Sequence, residues 1–228
     1  LGVGNAIEMS VNLIEGSHTV CNVRRDFPEW HLGRSPYVFW GLDVDVPAVS
    51  AKVAQAATHL DGYLLDGYRR QPHVTLDLCG FPSTQSTQGD EFAPAFLERQ
   101  CSALRAANLS VFEIEVAGLS SFSSAPFLGV VDRGGHIAAV RRCLDVDGRP
   151  RLFGHYVPHV TVGLYGGAWP ADEVAGRLAG FSVGEVAPCR VERISLLAYQ
   201  PADIGGPLTC LADYALASGE MRWHADLF

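Results

Sequence analysis

The nonapeptide PHVTLDLCG, beginning at Pro72, returns from Pro158 as PHVTVGLYG, with Pro, His, Val, Thr, Leu and Gly kept at six of nine positions. A repeated supersecondary phrase constrains the fold more than any compositional figure, because two copies imply two similar lobes. Each copy alternates apolar with polar residues, the pattern of a strand with one buried face. His73, Thr75, Asp77 and Cys79 are then expected on one face, with Val74, Leu76 and Leu78 on the other. In the second copy His159, Thr161, Gly163 and Tyr165 oppose Val160, Val162 and Leu164.

The surrounding segments read as a matching series of strands and helices. YVFWGLDVD from Tyr37 is a strand, followed by a helix over 47–60 that starts at Pro47 and turns Val49, Val53, Ala56 and Leu60 to one side. Asp90 is the expected N-cap of a helix burying Phe92, Phe96 and Leu104. SVFEIEVAG and FLGVV supply two more strands, and 135–144 a helix. PADEVAGRLAG gives a short helix, FSVGEV and CRVERISLLAY two strands, and 207–214 a further one. Strands that alternate with helices in places and follow one another in others specify an α+β architecture, here bilobal with antiparallel sheets. Residues 1–35 form an N-terminal extension of uncertain structure, and 36–228 a single bilobal domain.

With 228 residues and 48% hydrophobic content the chain can bury a substantial core. Its longest apolar runs, such as YVFW, fall far short of the roughly 20 residues that span a bilayer, so no membrane association is expected. The opening LGVGNAIEMSVNLIEG has neither a basic region nor a continuous apolar one, and a cytoplasmic location follows as the expectation. Six scattered cysteines without a Cys-x-x-Cys pair argue against a zinc ribbon or a dithiol redox site. A net charge of −8 excludes the general basic footprint of a protein that tracks a long polyanion, while leaving room for a small phosphate ligand.

Two imidazoles and two hydroxyls in one pocket suit phosphodiester chemistry. An imidazole titrates near neutral pH, so one can take a proton from a nucleophile while the other gives one to the leaving oxygen. The hydroxyls of Thr75 and Thr161 can hold the non-bridging phosphate oxygens. A provisional assignment makes His159 the base and His73 the acid, with the reverse nearly as compatible with pseudo-symmetry. No metal or other cofactor is required. The competing readings are structural histidines, or a metal site in which Asp77 joins the two histidines; Asp77 could instead orient His73.

The two motifs PHVTL and PHVTV, set in paired β-α-β lobes, resemble the two-histidine phosphoesterase superfamily, in particular its 2'-5' RNA ligase-like and 2',3'-cyclic phosphodiesterase branch. The likeness runs from Tyr37 to Tyr214. It implies two lobes about a central cleft lined by both His-x-Thr strands, with His73, Thr75, His159 and Thr161 catalytic. The implied activity is metal-independent hydrolysis of a cyclic phosphate or 2'-linked phosphodiester in a nucleotide or short oligonucleotide. The alternatives are a ligase acting on RNA ends and a nucleotide-binding sensor without turnover. No obligate protein partner is evident. Many relatives carry Arg three residues after the motif threonine, whereas here those positions hold Leu78 and Leu164. Other cations could serve: Arg70 beside Arg69 ahead of the first motif, Arg151 ahead of the second, and Arg34 in FPEWHLGR. Phe127 and Tyr165 are candidates for stacking on a base.

Overall fold

Each copy of the repeated phrase enters a different β-sheet. A computed structural model describes residues 12–85, 89–146, 156–182 and 184–228. The chain runs through β1 (Asn12–Leu13), α1 (Pro28–His31), β2 (Tyr37–Asp43), α2 (Pro47–His59), β3 (His73–Pro82), β4 (Glu91–Phe92), α3 (Pro94–Ala107) and β5 (Phe112–Phe122). It continues through β6 (Pro126–Val131), α4 (His136–Leu144), β7 (His159–Thr161), α5 (Ala171–Ala179), β8 (Ala187–Val191), β9 (Arg193–Tyr199), β10 (Thr209–Ala215) and β11 (Met221–Trp223). One sheet has the order β11-β10-β9-β2-β3-β4; the other has β1-β5-β6-β7, with β8 also on β5. The architecture is the bilobal α+β one that the repeat implies.

In each lobe the strand carrying the phrase lies antiparallel to the strand before it, β3 on β2 and β7 on β6. Prolines open α2 and α3 at their first turns, where a missing N–H costs nothing. Two of the helices do not stay with the sheets that precede them. Leaving the first sheet, α2 packs on β8 of the second, and α4, leaving the second, packs on β3 of the first. One continuous core, including Trp40, Leu42, Val74, Leu76, Ile114, Val140, Val160 and Leu196, therefore serves both lobes.

Several local expectations are corrected. The register of β2 against β3 shifts between Trp40 and Gly41 and again between Val38 and Phe39. At such a bulge two residues oppose one, so the alternation changes phase. Asp77, expected beside His73 and Thr75, is paired with Trp40 and receives Gln100 Nε2 at 3.1 Å on the helix side. Cys79 also lies in the core, and Leu78, expected there, is 37% exposed. Asp90 does not cap a helix: it holds Arg34, Glu91 and Phe92 run parallel to β3, and the helix starts at Pro94. The carbonyl of Asp90 passes so close to Gly80 (φ +108°) that a Cβ there would collide with it, which explains one of the repeated glycines. The second phrase keeps strand geometry only from His159 to Thr161. No strand spans FSVGEV among the described residues, and CRVERISLLAY divides at Glu192 between β8 and β9. Residues 12–35 lie along the domain: β1 pairs with β5, and the Thr19 and Asn22 amides donate to the carbonyls of Trp169 (2.8 Å) and Tyr165 (2.9 Å). Among the described residues no helix is long and apolar enough to cross a membrane.

Candidate active site

Strands β3 and β7 lie against one another, which brings the two motifs together across the lobes. Their histidines have nearly the same surroundings. His73 Nδ1 lies 2.7 Å from the carbonyl of Gln71, and His159 Nδ1 lies 2.7 Å from that of Val157, two residues back in each case. A carbonyl oxygen only accepts, so each Nδ1 carries the hydrogen and each Nε2 is left as the working atom. A phenylalanine from the neighbouring strand backs each ring: Phe39 at 5.5 Å and 53° for His73, Phe127 at 5.2 Å and 57° for His159. Phe122 closes edge-on against His159 at 4.9 Å.

The two imidazoles differ in charge environment. Burial is the main cause that pushes His73 down to about 4, and the Arg70 guanidinium and His159 push the same way against the Gln71 carbonyl and Asp43. Burial also lowers His159, opposed by the Val157 carbonyl. Both rings are neutral at neutral pH, His73 the more firmly so. Arg70 lies with its guanidinium carbon 4.4 Å over the Tyr199 ring, with Nε 3.4 Å from the Gly206 carbonyl. Its Nη groups make no hydrogen bond among the described residues.

The threonines sit half-buried beside the histidines, Thr75 opposite Gly41 and Thr161 opposite Phe127. Any side chain at position 41 would press on the Val74 carbonyl and Leu197 at 3.1 Å, so glycine keeps the floor beside Thr75 flat. Two tyrosines cross between the lobes. Tyr156, just ahead of β7, donates its hydroxyl to the Thr75 carbonyl at 2.9 Å, while Tyr68, ahead of β3, stands beside the Thr161 side chain. Burial raises both phenols to about 12, so they remain protonated. Arg141 stacks over Tyr156 at 3.4 Å and donates to the carbonyl of the bulged Leu76 at 2.9 Å.

A family model for the 2'-5' RNA ligase superfamily matches residues 45–203. The chain belongs to this superfamily. Solved structures with the same fold include Escherichia coli LigT in its apo form, at TM-score 0.52 and 14% identity over 79% of this chain and 98% of that one. LigT complexed with 3'-AMP aligns at 0.51 and 14%, over 84% and 95%. The Thermus thermophilus protein TT0787 aligns at 0.50 and 17%, over 79% and 97%. No curated protein matches the chain.

Membership of the 2'-5' RNA ligase superfamily leaves the individual contacts to be read from the geometry. Of the candidate binding residues, Arg70 stands beside His73. Phe127 is buried behind His159 and acts as a wall for the ring, with no open face for a base. Tyr165 is fully buried and its hydroxyl meets Ser121 Oγ at 2.6 Å, so the expectation that it stacks on a ligand is corrected. Arg34 is likewise committed elsewhere. Its guanidinium grips both Asp90 oxygens, at 2.6 and 2.8 Å, above the Phe81 ring. Arg151 lies outside the described residues. With Asp77 turned to the helices, the competing reading in which Asp77 joins His73 and His159 in a metal site is not supported by the geometry. Among the described residues three metal donors converge only at Cys210, Asp213 and His224. There the Asp213 carboxylate already takes Ser195 Oγ at 2.6 Å and faces His224 at 2.9 Å, with the Arg193 guanidinium at 3.5 Å, so a cation would stand beside a guanidinium.

Sequence reasoning missed Tyr68, Tyr156, Tyr199 and Gln71. The first two were visible as tyrosines shortly before each copy of the phrase, in GYRRQPHVT and HYVPHVT. Gln71 bonds both ways to the Leu208 backbone, at 2.7 and 3.2 Å, and so fixes the carbonyl that orients His73.

Proposed function

We propose that this protein is a two-histidine phosphodiesterase that hydrolyses a cyclic phosphate or 2'-linked phosphodiester of a nucleotide or short oligonucleotide. The observation that carries the reading is the pair of imidazoles on facing strands, each tied through Nδ1 to a carbonyl and each left with Nε2 for the cleft. The complex of LigT with 3'-AMP supports a nucleotide as the ligand class. Six unpaired cysteines fit a reducing, cytoplasmic setting.

The asymmetry of the site supports an assignment opposite to the provisional one. His73, buried and facing Arg70, stays neutral and takes the proton of the attacking water through Nε2. Water oxygen bonds to phosphorus, the ester P–O bond breaks, and the departing ribose oxygen receives the proton of the His159 imidazolium. A phosphate anion beside His159 favours that charged form against the burial that opposes it. Solvent then returns each imidazole to its starting state. Thr75 and Thr161 offer hydroxyls to the non-bridging oxygens, and Arg70 supplies the charge that Leu78 cannot.

The test is incubation with 2',3'-cyclic mononucleotides and 2'-5' dinucleotides, with and without chelator, for wild type and for His73→Gln and His159→Gln. Monophosphate products from wild type alone, in chelator as well, are the expected result. Binding without turnover by wild type would leave a sensor, end-joining of RNA would leave a ligase, and activity lost in chelator and restored by one metal would move the chemistry to that ion.

A further inference from the structure

The face of the first sheet that carries His73 continues beyond it as a chain of rings. Phe39, 5.5 Å from His73, is followed by Tyr199 at 6.1 Å, Tyr37 at 5.4 Å from Tyr199, and Trp30 at 5.5 Å from Tyr37. Phe39 and Tyr37 are buried, making a rigid floor. What solvent meets along it is Leu78, 37% exposed and paired with Phe39, then the Arg70-covered ring of Tyr199, and finally Trp30, 44% exposed. Trp30 comes from α1, ahead of the stretch that the superfamily match covers.

We infer that this strip is a stacking platform for the bases of a single-stranded oligonucleotide whose reacting phosphate sits at His73 and His159, so that the preferred substrate is several nucleotides long. The inference rests on the proposed phosphodiesterase reading and adds the length of the substrate and how it is held. Leu78 close to the histidine pair and the Trp30 ring at the far end are apolar surfaces left open, and such surfaces are what bases bind, since every base offers a π-face. The cations around the strip are mostly consumed: Arg34 by Asp90, and Arg24 and Arg69 by Asp203. Only Arg70 keeps its Nη groups without a hydrogen-bond partner among these four, so flanking phosphates are not tracked and stacking must hold the strand.

The experiment compares a trinucleotide ending in a 2',3'-cyclic phosphate with the corresponding cyclic mononucleotide. The wild-type protein is expected to favour the trinucleotide in kcat/KM by tenfold or more, as roughly expected when aromatic stacking adds to binding. Raising salt to about 0.3 M should leave most of that ratio, because few phosphates are contacted. Trp30→Ala should reduce the ratio roughly tenfold, Trp30→Phe should keep most of it, and Leu78→Ser should reduce it independently of Trp30. Equal kcat/KM for the two substrates, or variants that slow both equally, overturns the platform. Equilibrium titration of the same trinucleotide and mononucleotide needs no turnover. If neither is hydrolysed, tighter trinucleotide binding that Trp30→Ala or Leu78→Ser abolishes upholds the platform while the hydrolase reading fails; equal binding overturns both.

Discussion

Replacing His73 by glutamine, which carries no charge at any pH, should flatten the acid side of the stability curve by a calculable amount. In the folded protein burial holds His73 down at about 4, against 6.5 for an ordinary imidazole. As pH falls between those values the unfolded chain binds a proton that the folded one refuses, so stability drops with falling pH. The contribution is complete above 6.5 and is lost progressively toward 4. At 1.36 kcal/mol per pH unit the loss is about 2 kcal/mol by pH 5 and about 3 kcal/mol by pH 4. Against a total of about 5–15 kcal/mol for a typical domain, this is easily measured. Urea unfolding of wild type and His73→Gln at about pH 7.5 and about pH 5 gives the comparison. Wild type should lose about 2 kcal/mol more than the variant over that interval, whatever the variant's stability at neutral pH. Equal losses in the two proteins would mean that His73 titrates normally and that its burial has no electrostatic consequence.

Three further outcomes follow from the same geometry. The acid limb of kcat/KM should lie well below pH 6.5, and Arg70→Gln should move it upward, since that guanidinium adds to burial in keeping His73 neutral; an unmoved limb in a pH–rate series would detach Arg70 from His73. His73→Ala and His159→Ala should each slow turnover by roughly a hundredfold to ten-thousandfold, and Thr75→Val or Thr161→Val by roughly tenfold to a thousandfold, in single-turnover assays of folded protein. Gln100→Leu should lower stability by about 1–3 kcal/mol, seen as a lower urea midpoint at constant slope, because buried Gln100 accepts from Trp40 Nε1 at 2.8 Å and donates to the Leu144 carbonyl at 3.0 Å.

The repeated phrase carried most of what could be read beforehand: two lobes, two facing strands, and His with Thr on the face away from Val74 and Val160. Alternation, however, is a property of an unbroken ladder. The bulges opposite Trp40 and Phe39 depend on how β2 fits β3, a tertiary matter, and they send Asp77 to the helices and Leu78 to the cleft. Glu192 is similarly opaque, because a run of strand-forming residues contains nothing that says it will serve two sheets in succession. Asp90 has the right chemistry for a helix cap and is taken instead by Arg34, 56 residues away in sequence. The ring chain from His73 to Trp30 joins β2, β9 and α1, and no local pattern links them.

The crossing tyrosines have a consequence for how such a site arises. Tyr68 of one half touches Thr161 of the other, and Tyr156 of the second half touches Thr75 of the first, reciprocal in arrangement though not atom for atom. That is the geometry of a two-fold dimer, in which a contact from i to j is always accompanied by one from j to i. A true symmetric dimer could offer only two imidazoles of identical character, and the acid and the base would have to be told apart by the substrate alone. Joined in one chain, the halves are free to diverge: Arg70 and Asp43 act on His73 and, among the described residues, have no counterpart in the surroundings of His159. Covalent linkage thus converts a pair of equivalent bases into two groups with different work, and any change that restored the symmetry around them would erase that division.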